Sequence, residues 1–225
     1  RFKGLINDYL NNTATQYKNE PAGVGLLDVQ VDHFNRVSHI INNVWYSYQD
    51  TTPMGGGKTY IVSELARTIK RTNPKLKMII VAPKATHLKW NTVPAEFGVP
   101  VETVINYEKL TGRSGYSLNH PYLSRSDMGG DNYTVTQYYD SLVRDGILLV
   151  FDENQLVKNR NTLRAKACLA LVRHIVTLNG SGVSSSRIAL LSASPGDKHE
   201  HTFSILKMLG IVTNIDIIVN NHHIG

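Results

Sequence analysis

Residues 50–59 read DTTPMGGGKT, three consecutive glycines followed by Lys58 and Thr59. A loop that binds phosphate needs backbone N–H groups gathered into one concavity. Glycine allows the close approach and the φ values this requires. Gly55, Gly56 and Gly57 can supply that backbone, Lys58 a cation for the β- and γ-phosphates, and Thr59 a hydroxyl for Mg²⁺. A second cluster closes the apolar run "ILLVF" at 147–151 with Asp152 and Glu153. An acid at the end of a buried strand can hold Mg²⁺ on a nucleotide, and a second one beside it can orient and deprotonate a water. A third cluster, "SASP" at 192–195, ends another apolar run in small residues. The bland alternatives are an ordinary glycine turn at 55–57 and a loop-capping acid at 152.

These clusters do chemistry together only if the fold brings them together. "NVWYSY" (43–48) reads as a strand by its aromatic and β-branched content. Ile61, Val62, Leu65, Ala66 and Ile69 then recur at helical spacing and predict a helix over 58–70, starting just after the glycines. Its N-terminal dipole would face an anion held by the loop. "MIIVAP" (78–83) and "GILLVFDE" (146–153) are continuous apolar runs, expected of strands buried on both faces. "VETVINY" (101–107) and "RIALLSASP" (187–195) predict two more strands. Segments 85–97, 136–145, 162–178 and 201–210 predict helices. Residues 112–134, rich in Gly, Ser, Asn, Asp and Tyr, read as an exposed loop or insertion. Strand–helix alternation of this kind implies an α/β fold, a mostly parallel sheet with helices on both faces, and ligands at the carboxyl ends of the strands. All three clusters fall at such ends.

The chain has 225 residues, 41% hydrophobic, enough for one well-buried domain. No run approaches a membrane span, and the opening RFKGLINDYL lacks a secretory pattern. It begins at Arg1 rather than Met, so we expect an excised fragment. The single cysteine, Cys168, fits a reducing, intracellular setting and reads as a core residue. The net charge of +6 favours polyanionic partners, nucleic acid first. The histidines lack partners at zinc spacing.

Several segments, in order, resemble the first RecA-like lobe of a superfamily 2 helicase or translocase, most similar to the Swi/Snf-type branch. "LLDVQVDHF" (26–34) resembles the upstream segment whose glutamine, here Gln30, reads adenine. "TTPMGGGKT" (51–59) resembles motif I in its T-x-x-G-x-G-K-T form. "VAPKATHLKW" (81–90) with Glu96 and Phe97 resembles motif Ia, and "VINYEKL" (104–110) motif Ib. "VFDENQLVKN" (150–159) resembles motif II, and "LLSASP" (190–195) motif III. About 90 residues separate Lys58 from Asp152, and no N-K-x-D guanine-reading motif is present.

The resemblance implies a three-layer RecA-like P-loop NTPase domain over 24–225, a 1–23 extension, the insertion near 112–134, and a second lobe absent from this chain. It implies an ATP hydrolase with Mg²⁺, weakly active as a fragment because the arginine finger lies on the other lobe. ATP would be held by Gln30, Pro53, Met54, Gly55, Gly56, Gly57, Lys58, Thr59 and Tyr60. Mg²⁺ would be held by Thr59 and Asp152. Lys58, Asp152, Glu153 and Gln155 would serve catalysis. Ser192, Ala193 and Ser194 would couple the site to movement. Pro83, Lys84, Thr86 and Tyr107 would contact a nucleic-acid backbone, DNA favoured over RNA. Motif II departs from the usual D-E-x-H with Asn154 and Gln155, and Ser194 replaces the usual threonine. That departure carries the alternative of a degenerate lobe that binds nucleic acid or protein without hydrolysis. The expected setting is intracellular, in the nucleus; the DENQ variant also resembles helicases of large DNA viruses, which would place a viral protein in the cytoplasm or virion.

Overall fold

The computed structural model of the chain describes residues 25–112, 118, 120–125, 133–159, 161–194 and 199–212. The expected 1–23 extension and Pro195 of the third cluster lie outside them. Five strands form one parallel sheet: β1 Ser47–Asp50, β2 Lys77–Val81, β3 Val101–Ile105, β6 Ile147–Asp152 and β7 Arg187–Leu191, in the order β1-β7-β6-β2-β3. A separate antiparallel pair is made by β4 Leu123–Arg125 and β5 Tyr133–Val135. The helices are α1 Asp28–His39, α2 Lys58–Thr72, α3 His87–Glu96, α4 Tyr107–Thr111, α5 Gln137–Asp145, α6 Leu163–Gly180 and α7 His199–Met208. Among the described residues no helix is long and apolar enough to cross a membrane.

Period-2 alternation along the strands explains the three layers. Met78, Ile80, Leu148, Val150, Ala189 and Leu191 point to one face and share a core with residues of α1, α2 and α3. Ile79, Val81, Leu149, Phe151, Ile188 and Leu190 point to the other and pack with residues of α4, α5, α6 and α7. Both faces are covered, so β6 is buried at every position, and its sequence is continuously apolar until Asp152. Asp152 shares its parity with Leu148 and Val150, which aims it at the α2–α3 side.

Three expected elements differ. The strand expected at 43–48 begins only at Ser47, because the helical path continues through a π turn over Ile40–Val44. The Trp45 N–H reaches back to the Ile40 carbonyl, and the Asn43 side chain bonds to the His39 carbonyl. Local amide bonds there outcompete the strand preference of the aromatic residues. The strand expected at 101–107 stops at Ile105, because the Asn106 side chain caps α4 by accepting the Lys109 N–H at 2.7 Å. The described part of 112–134 is not simply exposed. Tyr122, Leu123 and His120 are buried, and Arg125 and the Tyr133 hydroxyl both donate to the Thr111 carbonyl.

Phe151 is fully buried in the central strand, immediately before Asp152. Phe151→Ala should cost about 3–5 kcal/mol of unfolding free energy, measured by urea titration.

Candidate nucleotide site

The glycine loop leaves β1 and enters α2 directly. Gly57 caps α2 with φ +82°, a left-handed conformation that favours glycine. A Cβ there would also lie 1.9 Å from Gln30 Nε2. At Gly56 a Cβ would meet Thr52 Cγ2 at 2.2 Å. Gly57 is favoured by its backbone conformation, and a side chain at Gly56 or Gly57 would have to displace Thr52 or Gln30. Gln30 is buried, accepts the Leu27 N–H through Oε1 at 3.0 Å, and lays its amide against Gly57. The Lys58 ammonium folds over the loop and donates to the Thr52 and Pro53 carbonyls. Thr59 is buried in the first turn of α2, and its carbonyl accepts the Ser63 hydroxyl.

The start of the loop is pinned by an acid the sequence reading passed over. Asp50, the last residue of β1, is 1% exposed. Its Oδ1 accepts the Thr52 N–H at 2.9 Å, and its Oδ2 lies 3.0 Å from His33 Nε2 on α1. Burial pushes the Asp50 carboxyl up, but hydrogen bonds from His33 and Thr52 outweigh it and hold the group below its ordinary value.

Across the sheet, Leu191 of β7 lies opposite both Asp50 and Asp152. Two strand spacings therefore separate the acid under the glycine loop from the acid of β6, about 10 Å. Asp152 is 8% exposed. Its Oδ2 accepts the indole N–H of Trp90 at 2.8 Å, and its carbonyl accepts the Tyr107 hydroxyl at 2.7 Å. Glu153 follows with φ 55°, alone among described non-glycine residues in having a positive φ. That strain turns the chain sharply off the strand, a feature that gathers at functional sites. A polar chain then crosses to β7. The Ser194 N–H donates to Ser192 Oγ, Ser192 Oγ donates to Gln155 Oε1, and Gln155 Nε2 donates to the Glu153 carboxylate.

The remaining expected residues fall as follows. Pro53 and Met54 are exposed at the loop crest. Tyr60 packs edge-on against Phe97, under Lys89 at 5.6 Å from its ring. Ala193 is half-buried beside exposed Ser194. Pro83, Lys84 and Thr86 form the turn that opens α3, on the same sheet edge, with Lys84 exposed. Tyr107 needs correction. It is 1% exposed and bonded to Asp152, so its side chain cannot meet a nucleic-acid backbone. Trp90, in the segment that resembles motif Ia, is fully buried and touches the acid of β6. Side-chain parity gives a signal for it, since Asp152 and the face beneath α3 lie on one side of the sheet.

The sequence matches no family profile and no curated protein. The fold has a counterpart among solved structures. The SWI2/SNF2 ATPase core of Sulfolobus solfataricus, in complex with double-stranded DNA, superposes with a TM-score of 0.54 at 18% identity. The likeness covers 88% of this chain and 38% of that one. It is a likeness of fold. The chain thus has a RecA-like α/β fold, a parallel five-stranded sheet between helical layers.

The Asp50 shift predicts a pH dependence. Its carboxyl titrates lower in the folded than in the unfolded chain, so ionised Asp50 stabilises the fold above the ordinary value. That contribution is lost as pH falls through the depressed folded value. Asp50→Asn should lower stability at neutral pH by about 1–2 kcal/mol and flatten the loss of stability on acidification. Urea unfolding at a series of pH values reads both.

Proposed function

We propose that this chain is the ATP-binding lobe of a nucleic-acid-dependent ATPase of the helicase or translocase type. One observation carries the reading. A glycine loop ending in Lys58–Thr59 and a strand-end pair Asp152–Glu153 share one sheet edge, joined through β7 by the Gln155–Ser192 bond. The fold likeness to an ATPase core supports it.

The glycine cradle and the donor set fit a magnesium nucleotide. Thr59 and Asp152 are the residues that would hold Mg²⁺, whose bound charge would neutralise the β- and γ-phosphate oxygens. Lys58 would exchange its two loop carbonyls for phosphate oxygens, a stronger, charge-assisted pairing. Gln30, which already buttresses Gly57, stands where the resemblance puts adenine recognition. Glu153 would take the proton of the attacking water while the water oxygen bonds to the γ-phosphorus. The bond from that phosphorus to the bridging oxygen breaks, and ADP leaves. Gln155 holds Glu153 and reports to Ser192, so displacement of the 192–194 segment would be felt at the base. The turn at Pro83, Lys84 and Thr86 would meet the sugar–phosphate backbone, with duplex DNA the favoured partner. A second RecA-like lobe, supplied by the full-length protein, would contribute the arginine finger and the opposing grip.

Calorimetric titration with Mg-ATP tests the site. Lys58→Ala should weaken binding by about tenfold or more. Glu153→Gln should retain binding while abolishing DNA-stimulated turnover of the full-length protein. Unchanged affinity in Lys58→Ala would refute the reading. Turnover absent from the wild-type full-length protein, with binding intact, would favour the degenerate lobe. At the turn before α3, Lys84→Ala should weaken duplex binding without regard to sequence. It should also reduce the slope of log affinity against log salt by about 1, read by fluorescence anisotropy.

A further inference from the structure

We propose that Trp90 is a positioning residue for the metal-holding acid. Its indole N–H fixes the orientation of the Asp152 carboxylate and so sets the affinity of the site for Mg²⁺. The inference rests on the reading of Asp152 just given and assigns a new role within that site.

A carboxylate at the end of a strand can rotate about its terminal torsion, which is broad for Asp. An acid that must accept from a metal or its bound water loses affinity for every orientation it samples uselessly. One contact restrains that freedom, and a second holds the main chain that carries the side chain. On the α3 face, Trp90 Nε1 lies 2.8 Å from Oδ2. On the opposite face, the Tyr107 hydroxyl lies 2.7 Å from the carbonyl of the same residue. The first contact holds the side chain and the second holds the main chain.

The donors are themselves immobile. Trp90 and Tyr107 are 0% and 1% exposed. Trp90 stands in the first turn of α3, in the core cluster that also contains Val93, Phe97, Leu148 and Val150. Indole is a donor only and does not titrate, so toward the carboxylate it can act only as a hydrogen-bond donor. With Oδ2 engaged by Trp90, Oδ1 would be the oxygen offered to a cation shell. Partners of this kind, one step behind a metal ligand, commonly carry a tenfold or larger share of metal affinity.

The bulk of Trp90 and its N–H can be separated chemically. Replacement of Trp90 by β-(3-benzothienyl)alanine keeps the shape and removes the donor. Trp90→Phe gives a genetically encoded companion. ATP affinity would be measured by calorimetry in EDTA and at rising Mg²⁺. The expected result is unchanged affinity in EDTA and an about tenfold higher Mg²⁺ concentration for half of the metal-dependent gain. Asp152→Asn should remove that gain altogether. A benzothienyl variant with the wild-type Mg²⁺ dependence would overturn the proposal, provided Lys58→Ala still loses ATP. If Lys58→Ala also binds ATP normally, the nucleotide reading itself falls and this inference with it. Should Trp90→Phe fail to fold, the benzothienyl variant alone decides.

Discussion

The site depends on the register of one strand. β7 lies between β1 and β6, and Leu191 stands opposite Asp50 on one side and Asp152 on the other. The glycine loop and the acidic pair come from segments far apart in the chain, and no direct contact between them is needed to place them. The Ser192 N–H extends the same ladder by one bond, donating to the Asp50 carbonyl at 3.0 Å. A slip of β7 by one residue would exchange the two faces of the strand and bury the wrong set of side chains. The apolar packing of Ile188 and Leu190 on one face, and Ala189 and Leu191 on the other, therefore specifies the chemistry at the edge.

Around that register the edge is held by a small number of buried and half-buried polar contacts. Asp50 ties the loop to β1 and to α1. The Gln30 side chain packs against Gly57 and accepts the Leu27 N–H. Trp90 and Tyr107 hold Asp152, and Gln155 joins Glu153 to Ser192. The two bonds to Asp152 are fully buried, in surroundings where an unmade bond would be costly. The left-handed backbone of Glu153 fits this setting, because strain of that size persists only where the surroundings fix it.

Much of the fold was legible in the sequence. β6 and β2 announce themselves as unbroken apolar runs, and α2 by its helical spacing, because burial on both faces or on one stripe leaves a periodic record. Lys58, Asp152 and Glu153 were legible because their types and places at element boundaries are chemically unusual. The π turn at 40–44 was not, since Trp45 and Tyr46 carry strand preference while the asparagines before them bond locally. Tyr107 was misjudged because nothing local says whether a tyrosine after a strand faces solvent or the core. The His33–Asp50 pairing joins residues 17 positions apart, which no local pattern records, and strand parity gives only the side of the sheet on which Trp90 meets Asp152.

The placement of β1 has a consequence for how the molecule is born. Among the described residues β1 pairs in the sheet with β7 alone, so Ser47 waits for Ile188 as its partner. On a ribosome the glycine loop emerges early, yet its supporting strand can dock only after nearly all of the sheet has been made. β2, β3 and β6 can assemble first, and the pairing of β1 closes the longest loop in the sheet, a slow and entropically costly step. The nucleotide cradle is thus a late product of folding. A ligand that binds only the completed loop would draw the last strand into place by mass action.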